Sequence, residues 1–217
     1  MSSLYLLTAL VAFLLYAAIL HLLLRSHLRR YFILFLYMLV LLFTATVDGA
    51  FAYGGVQSFG GYSAANIFYF NDLTRQTFAY VLVISMVFGA ARGSERFRWL
   101  GRWFLIGAVL LAGSFLWLHY DPERLVRWMT NVVRNLSLVG MLMTLALWML
   151  LLIRRTKDRT LLLVVTGLGL QLAGEAIGQS LRLMSRSTIT LGNLVVVSAH
   201  LMCLAVWFSA FRKRPTP

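Results

Sequence analysis

With 60% of its 217 residues hydrophobic and only 12% charged, the chain lacks the mixed composition of a soluble domain. Its net charge of +13 suggests nucleic acid at first sight, but the basic residues are gathered in short links between apolar runs, a pattern of membrane topology that excludes a nucleic-acid partner. The single cysteine, Cys203, excludes an intrachain disulfide.

In chain order, seven apolar spans are read at 4–24, 31–52, 69–91, 103–118, 131–153, 161–181 and 191–211. Each is near the roughly 20 residues that cross about 30 Å of hydrocarbon. No water is available there to satisfy a free backbone, so each span must be helical. The expectation is one all-α domain over residues 1–217, a bundle of seven transmembrane helices. Met1-Ser-Ser carries no side-chain charge and Arg25 follows the first span, the reverse of a secretory signal, so that helix is expected to be retained. Of the 20 Lys and Arg, 14 fall in the stretches 25–30, 92–102, 154–159 and 212–214 on one side of the bundle. Arg75, Arg124, Arg127, Arg134, Arg182 and Arg186 fall on the other. The positive-inside rule then places the N-terminus outside and the C-terminus in the cytoplasm of a bacterial inner membrane, with anionic lipid against the basic side.

Between the second and third spans, residues 53–68 combine Gly54, Gly55, Gly60 and Gly61 with Tyr53, Phe59 and Tyr62. This segment reads either as a lid over the outer mouth or as an interfacial loop anchored by its aromatics. Further on, Asp121, Pro122 and Glu123 form a helix start, with a cap, a proline suited to the first helical position and an acid at the positive helix end. Pro122, Pro215 and Pro217 all lie outside the spans, which argues against the interrupted helices of alternating-access transporters. Gly174 and Gly178 suit close helix packing.

Polar residues concentrate at one depth. Gln171, Glu175, Gln179 and Arg182 fall within about 80° of one helix face. Counting about 1.5 Å per residue from a cytoplasmic start near Leu161 lifts Glu175 roughly 21 Å, and Asp48 lies about 25 Å up its own span. Asp72, Arg75 and Gln76 open the next span at that level, while Asn131, Arg134 and Asn135 share a face with Arg127 at the start of the span 131–153. Charge at such depth is costly unless paired, so Asp48, Asp72 and Glu175 are expected to pair with Arg75, Arg134 and Arg182. Similar depth on adjacent spans makes Glu175 with Arg134 the preferred pair. The stratum is then either an ion-pair network that fixes the bundle or a pocket in which a guanidinium holds a carboxylate or phosphate bidentately.

Other chemistries find less in the sequence. His21, His27, His119 and His200 lie at different depths, and no His-Glu-x-x-His or Cys-x-x-Cys spacing occurs, so neither a metal nor another cofactor is expected. The depths of His21 and His200 differ by too much for a bridged haem, and His200 suits a helix-packing hydrogen bond better. No Gly-x-Ser-x-Gly elbow is present. A lipid-modifying enzyme would have to use Glu175, Asp48 or Asp72 for acid–base work. The last span has no lysine, which rules out a retinal Schiff base there.

The runs Arg134-Asn-Leu-Ser and Gly174-Glu-Ala-Ile-Gly-Gln-Ser-Leu-Arg182 resemble those of small bacterial seven-helix membrane proteins. The architecture is also similar to the seven-helix sensory segments that precede bacterial histidine kinases. That resemblance implies a fold and a sensory setting but no particular activity, and no kinase or cyclase domain follows the last span within these 217 residues. The expected function is non-catalytic binding or sensing of a small polar or anionic ligand from the outer face, or support of a larger membrane assembly through a protein partner. A small-solute transporter and a membrane-embedded lipid-modifying enzyme are the alternatives.

Overall fold

Runs of Leu, Ile, Val and Phe offer the backbone no side-chain partners, so its hydrogen bonds close within each segment and helices result. The computed structural model describes residues 3–53, 58–59, 62–91, 99, 106–107, 110, 113–114, 125–153 and 158–212. Helix α1 (Ser3–Leu22) continues into one wide turn, Leu23–His27, and is followed by α2 (Phe32–Tyr53). Two short strands, β1 (Ser58–Phe59) and β2 (Tyr62–Ser63), pair antiparallel with Ser58 opposite Ser63. Then come α3 (Ala64–Ala91), α4 (Leu125–Ile153), α5 (Arg159–Met184), a 3-10 turn (Arg186–Thr188) and α6 (Ile189–Arg212). Among the described residues, these six helices are each long and apolar enough to cross a membrane, as in a multi-pass membrane protein. Most of the span expected at 103–118, the helix start at Asp121–Glu123, and Gly54, Gly55, Gly60 and Gly61 lie outside the described residues.

Two helices begin well before their apolar spans: α3 at Ala64 rather than 69 and α4 at Leu125 rather than 131. Hydropathy registers only the part immersed in hydrocarbon, whereas a helix needs no apolar side chains to continue through the polar interface. The 29 residues of α4 extend to about 43 Å, the thickness of a bilayer with its headgroups.

Among the described helices, α2 to α5 each pack mainly on the helices before and after them, whereas α1 packs more closely on α6 than on α2, which closes a ring. Inside it lies a core that includes Tyr37 and Met38 of α2, Leu82 of α3, Leu147 of α4, Leu168 and Leu172 of α5, and Trp207 of α6. Trp207 donates from Nε1 to the Val164 carbonyl at 2.9 Å and meets the Tyr37 ring edge-on at 6.1 Å between centroids. Outward-facing Phe43, Leu142, Ile177 and Met202 are exposed, as a lipid-facing surface requires.

The most extensive pairing is between α5 and α6, and glycine sets it. A Cβ on Gly174 would collide with that of Ala199, and one on Gly178 would come within 2.8 Å of the Gly192 carbonyl oxygen. The close-packing role read from Gly174 and Gly178 is therefore realised. The turn between the helices is closed by Thr188, whose hydroxyl donates to the carbonyls of Leu181 at 2.6 Å and Ser185 at 2.9 Å. At the other end of α5, Asp158 caps the helix by accepting from the Leu161 amide at 3.1 Å and also pairs with Arg30.

Candidate functional site

Asp72 organises the polar stratum. Near the start of α3 its carboxylate is buried, and a buried carboxylate is stable only if its oxygens find donors. Oδ1 accepts from Arg75, one helical turn away. Oδ2 accepts from Arg182 Nη1 at 3.2 Å and from Gln179 Nε2 at 3.4 Å, both on α5. Arg75 reaches on to Asp48 of α2 at 3.4 Å, and Asn71 donates to the other Asp48 oxygen at 2.7 Å. Arg182 also donates through Nε to Asn193 of α6 at 2.8 Å. One connected network thus joins α2, α3, α5 and α6.

Deeper in the bundle, Gln171 donates to the Tyr37 hydroxyl at 2.7 Å. Its Oε1, Gln76 Nε2 and Gln179 Oε1 are buried without a hydrogen-bond partner among the described residues, as is Oε2 of the half-buried Glu175. His200 hydrogen-bonds Tyr16 of α1, the packing role expected of it.

The expected Glu175–Arg134 pair does not form. The guanidinium of Arg134 instead bonds the side chain of its neighbour Asn135, at 3.2 and 3.3 Å, and Glu175 makes no ion pair among the described residues. Depth and helix adjacency fixed the layer correctly but not the azimuth, and Arg134 is satisfied locally without reaching α5. Asn131 is half-buried and makes no side-chain hydrogen bond among the described residues. The fourth helix of the network is therefore α6 rather than α4.

Asn71, Asn193 and Tyr37 were not singled out by the sequence reading. Asn193 was detectable, because an antiparallel hairpin turning at Arg186–Thr188 sets it level with Arg182 across the turn. Tyr37 lies in an unbroken apolar run with nothing in its surroundings to mark it.

Next to this network is a cavity of about 280 Å³ between the same ends of α3, α4, α5 and α6. Phe68 and Tyr69 supply an aromatic wall, while Arg127, Thr130, Arg182 and Asn193 supply the polar groups. Arg127 is exposed and has no partner among the described residues. Arg182 spends Nε and Nη1 on Asn193 and Asp72, leaving Nη2 without a hydrogen bond among the described residues.

Comparison of the chain with protein-family models, with curated proteins and with solved structures returns no match.

Chemically, the cavity offers two guanidiniums, a hydroxyl and an amide beside aromatic rings. Guanidinium forks match carboxylate and phosphate oxygens, and Arg182 is held in place by Asp72 and Asn193. Among the described residues no group of His, Cys, Asp and Glu could hold a metal ion.

Proposed function

We propose that this chain is a non-catalytic seven-helix protein of the bacterial inner membrane, N-terminus outside, that binds a small anion from the outer face. The reading rests on the cavity in which Arg127 and Arg182 converge. Its volume of about 280 Å³ lies just below the usual range for ligand pockets and suits a carboxylate or phosphate compound of few atoms. Orientation follows from the basic stretches at 25–30, 92–102 and 154–159, of which the described Arg29 and Arg30 lie at the opposite end from the cavity, and the seventh helix from the apolar run 103–118.

Arg182 gives binding a route to the bundle. An anion that draws on this guanidinium competes with Asp72, and Asp72 connects through Arg75 to Asp48 on α2. A ligand shifts such an equilibrium only by its differential affinity for the two arrangements, and the Arg182–Asp72 bond is where that difference arises. Transport finds less support: beyond the polar stratum the bundle is filled by Leu168, Leu172 and Trp207, all fully buried.

The test is a thermal-unfolding screen of the purified chain in an uncharged detergent, with succinate and inorganic phosphate set against choline at equal ionic strength. At least one anion should raise the midpoint in wild type and fail to do so in Arg127→Gln, whose own midpoint should be unchanged. Equal responses to anions and choline, or an anion response that survives Arg127→Gln, would contradict the reading. Arg182→Ala is the less clean variant, because it also removes a partner of buried Asp72.

A further inference from the structure

The opposite end of the bundle holds a larger cavity, about 520 Å³, between the start of α2, the last turns of α3 and the first turn of α5. Phe32, Leu82, Met86 and Gly89 form apolar walls, and exposed Arg29 and Arg30 edge them. Arg30 pairs with Asp158 and lies 5.6 Å from the centre of the Tyr31 ring, so it is fixed in place. Arg29 has no acidic partner among the described residues. Phe32 is 52% exposed, which makes the cavity wall continuous with the lipid-facing surface. At Gly89 a Cβ would meet nothing within 4 Å, so the wall is open there.

Two chemistries have to be satisfied together. A soluble anion would use the arginines but leave the apolar wall uncovered, and a neutral lipid would cover the wall but leave Arg29 unmatched. Only a molecule with an anionic head joined to hydrocarbon answers both. We propose that this cavity seats one anionic phospholipid, its phosphate against Arg29 and Arg30 and its first methylenes against Phe32, Leu82 and Met86. Basic residues at a membrane surface already draw anionic lipid diffusely, each weakly. The cavity adds a fixed seat. From Ser85 to Ala90 the wall extends over about 8 Å of helix, enough for the glycerol and the first part of a chain. The occupant would tie α2, α3 and α5 together where the Arg30–Asp158 pair already joins α5 to the link before α2.

The experiment uses the full chain in an uncharged detergent and reads retained lipid by native mass spectrometry. Phosphatidylglycerol, phosphatidylcholine with the same acyl chains, and glycerol phosphate are supplied separately. One phosphatidylglycerol should be retained in preference to phosphatidylcholine, and glycerol phosphate should not be retained. Arg29→Gln should weaken that retention about fivefold. Arg212→Gln, which removes an exposed charge outside the cavity at the far end of α6, should not. Gly89→Leu, which fills the open wall without a clash at Cβ, should abolish retention without lowering the unfolding midpoint. Equal retention of phosphatidylcholine would overturn the proposal, and so would equal retention of glycerol phosphate, which would mark a soluble-phosphate site. Equal losses in Arg29→Gln and Arg212→Gln, or unchanged retention in Gly89→Leu, would also overturn it.

Discussion

Asp72 is where the sequence and the folded chain agree most closely and where the energetic consequence is largest. Its charge, its depth and its need for arginine partners were all readable, because an acid within an apolar run has few ways to be stable. The identity of the partners was not. Arg75 and Arg182 reach it, whereas Arg134 is satisfied by Asn135, and that distinction depends on helix rotation, which residue spacing along the chain does not record. Removing the Asp72 charge leaves Arg182 without a carboxylate partner among the described residues and Arg75 with Asp48 alone. Asp72→Asn should therefore destabilise the bundle by about 3 kcal/mol, measured by unfolding in a single detergent. The double variant Asp72→Asn with Arg182→Gln should lose about 1 kcal/mol less than the sum of its parts. By contrast, Glu175→Gln and Arg134→Gln should be additive to within about 0.5 kcal/mol. A coupling in the second cycle as large as in the first would mean that Glu175 and Arg134 do pair.

At the scale of the helix, apolar length was enough to find six of the spans but set their ends too early or too late. Residues such as Asn66 and Arg127 continue α3 and α4 beyond the apolar spans, outside the reach of a hydropathy argument. The α5–α6 seam was legible for the opposite reason, since Gly174 and Gly178 one turn apart have a packing meaning regardless of rotation. The seam makes a prediction that distinguishes glycines by their surroundings. At Gly178 a Cβ would meet backbone oxygen at 2.8 Å, which cannot swing aside, so Gly178→Ala must push the helices apart. It should lower stability by about 2 kcal/mol. At Gly89, with open space around the Cβ position, Gly89→Ala should instead raise stability by about 0.5 kcal/mol through helix propensity. Equal effects at both positions would show that the α5–α6 approach is not limiting.

For the whole molecule, 14 of the 20 Lys and Arg fall in the stretches 25–30, 92–102, 154–159 and 212–214, apart in the sequence from the residues of the polar stratum, and this asymmetry carries both the proposed orientation and the proposed direction of ligand approach. A reporter active only in the cytoplasm should work when fused after Pro217 and fail when inserted near Gly60; the reverse at both positions would place the cavity on the cytoplasmic side. Composition disclosed a membrane bundle readily, because 60% hydrophobic residues in long runs have few other solutions. It could not disclose the cavity, which arises only when Arg127 of α4, Arg182 of α5 and Asn193 of α6 come together from positions far apart in the chain. The central claim is that Arg127 and Arg182 bind an anion there. It is tested most directly by an equilibrium titration of the best-stabilising anion into the purified wild-type chain and into Arg127→Gln. The account predicts one saturable site whose affinity falls at least about fivefold in Arg127→Gln and weakens with added salt in wild type. Unchanged affinity in Arg127→Gln, or the absence of saturable binding to the folded wild-type chain, would contradict it.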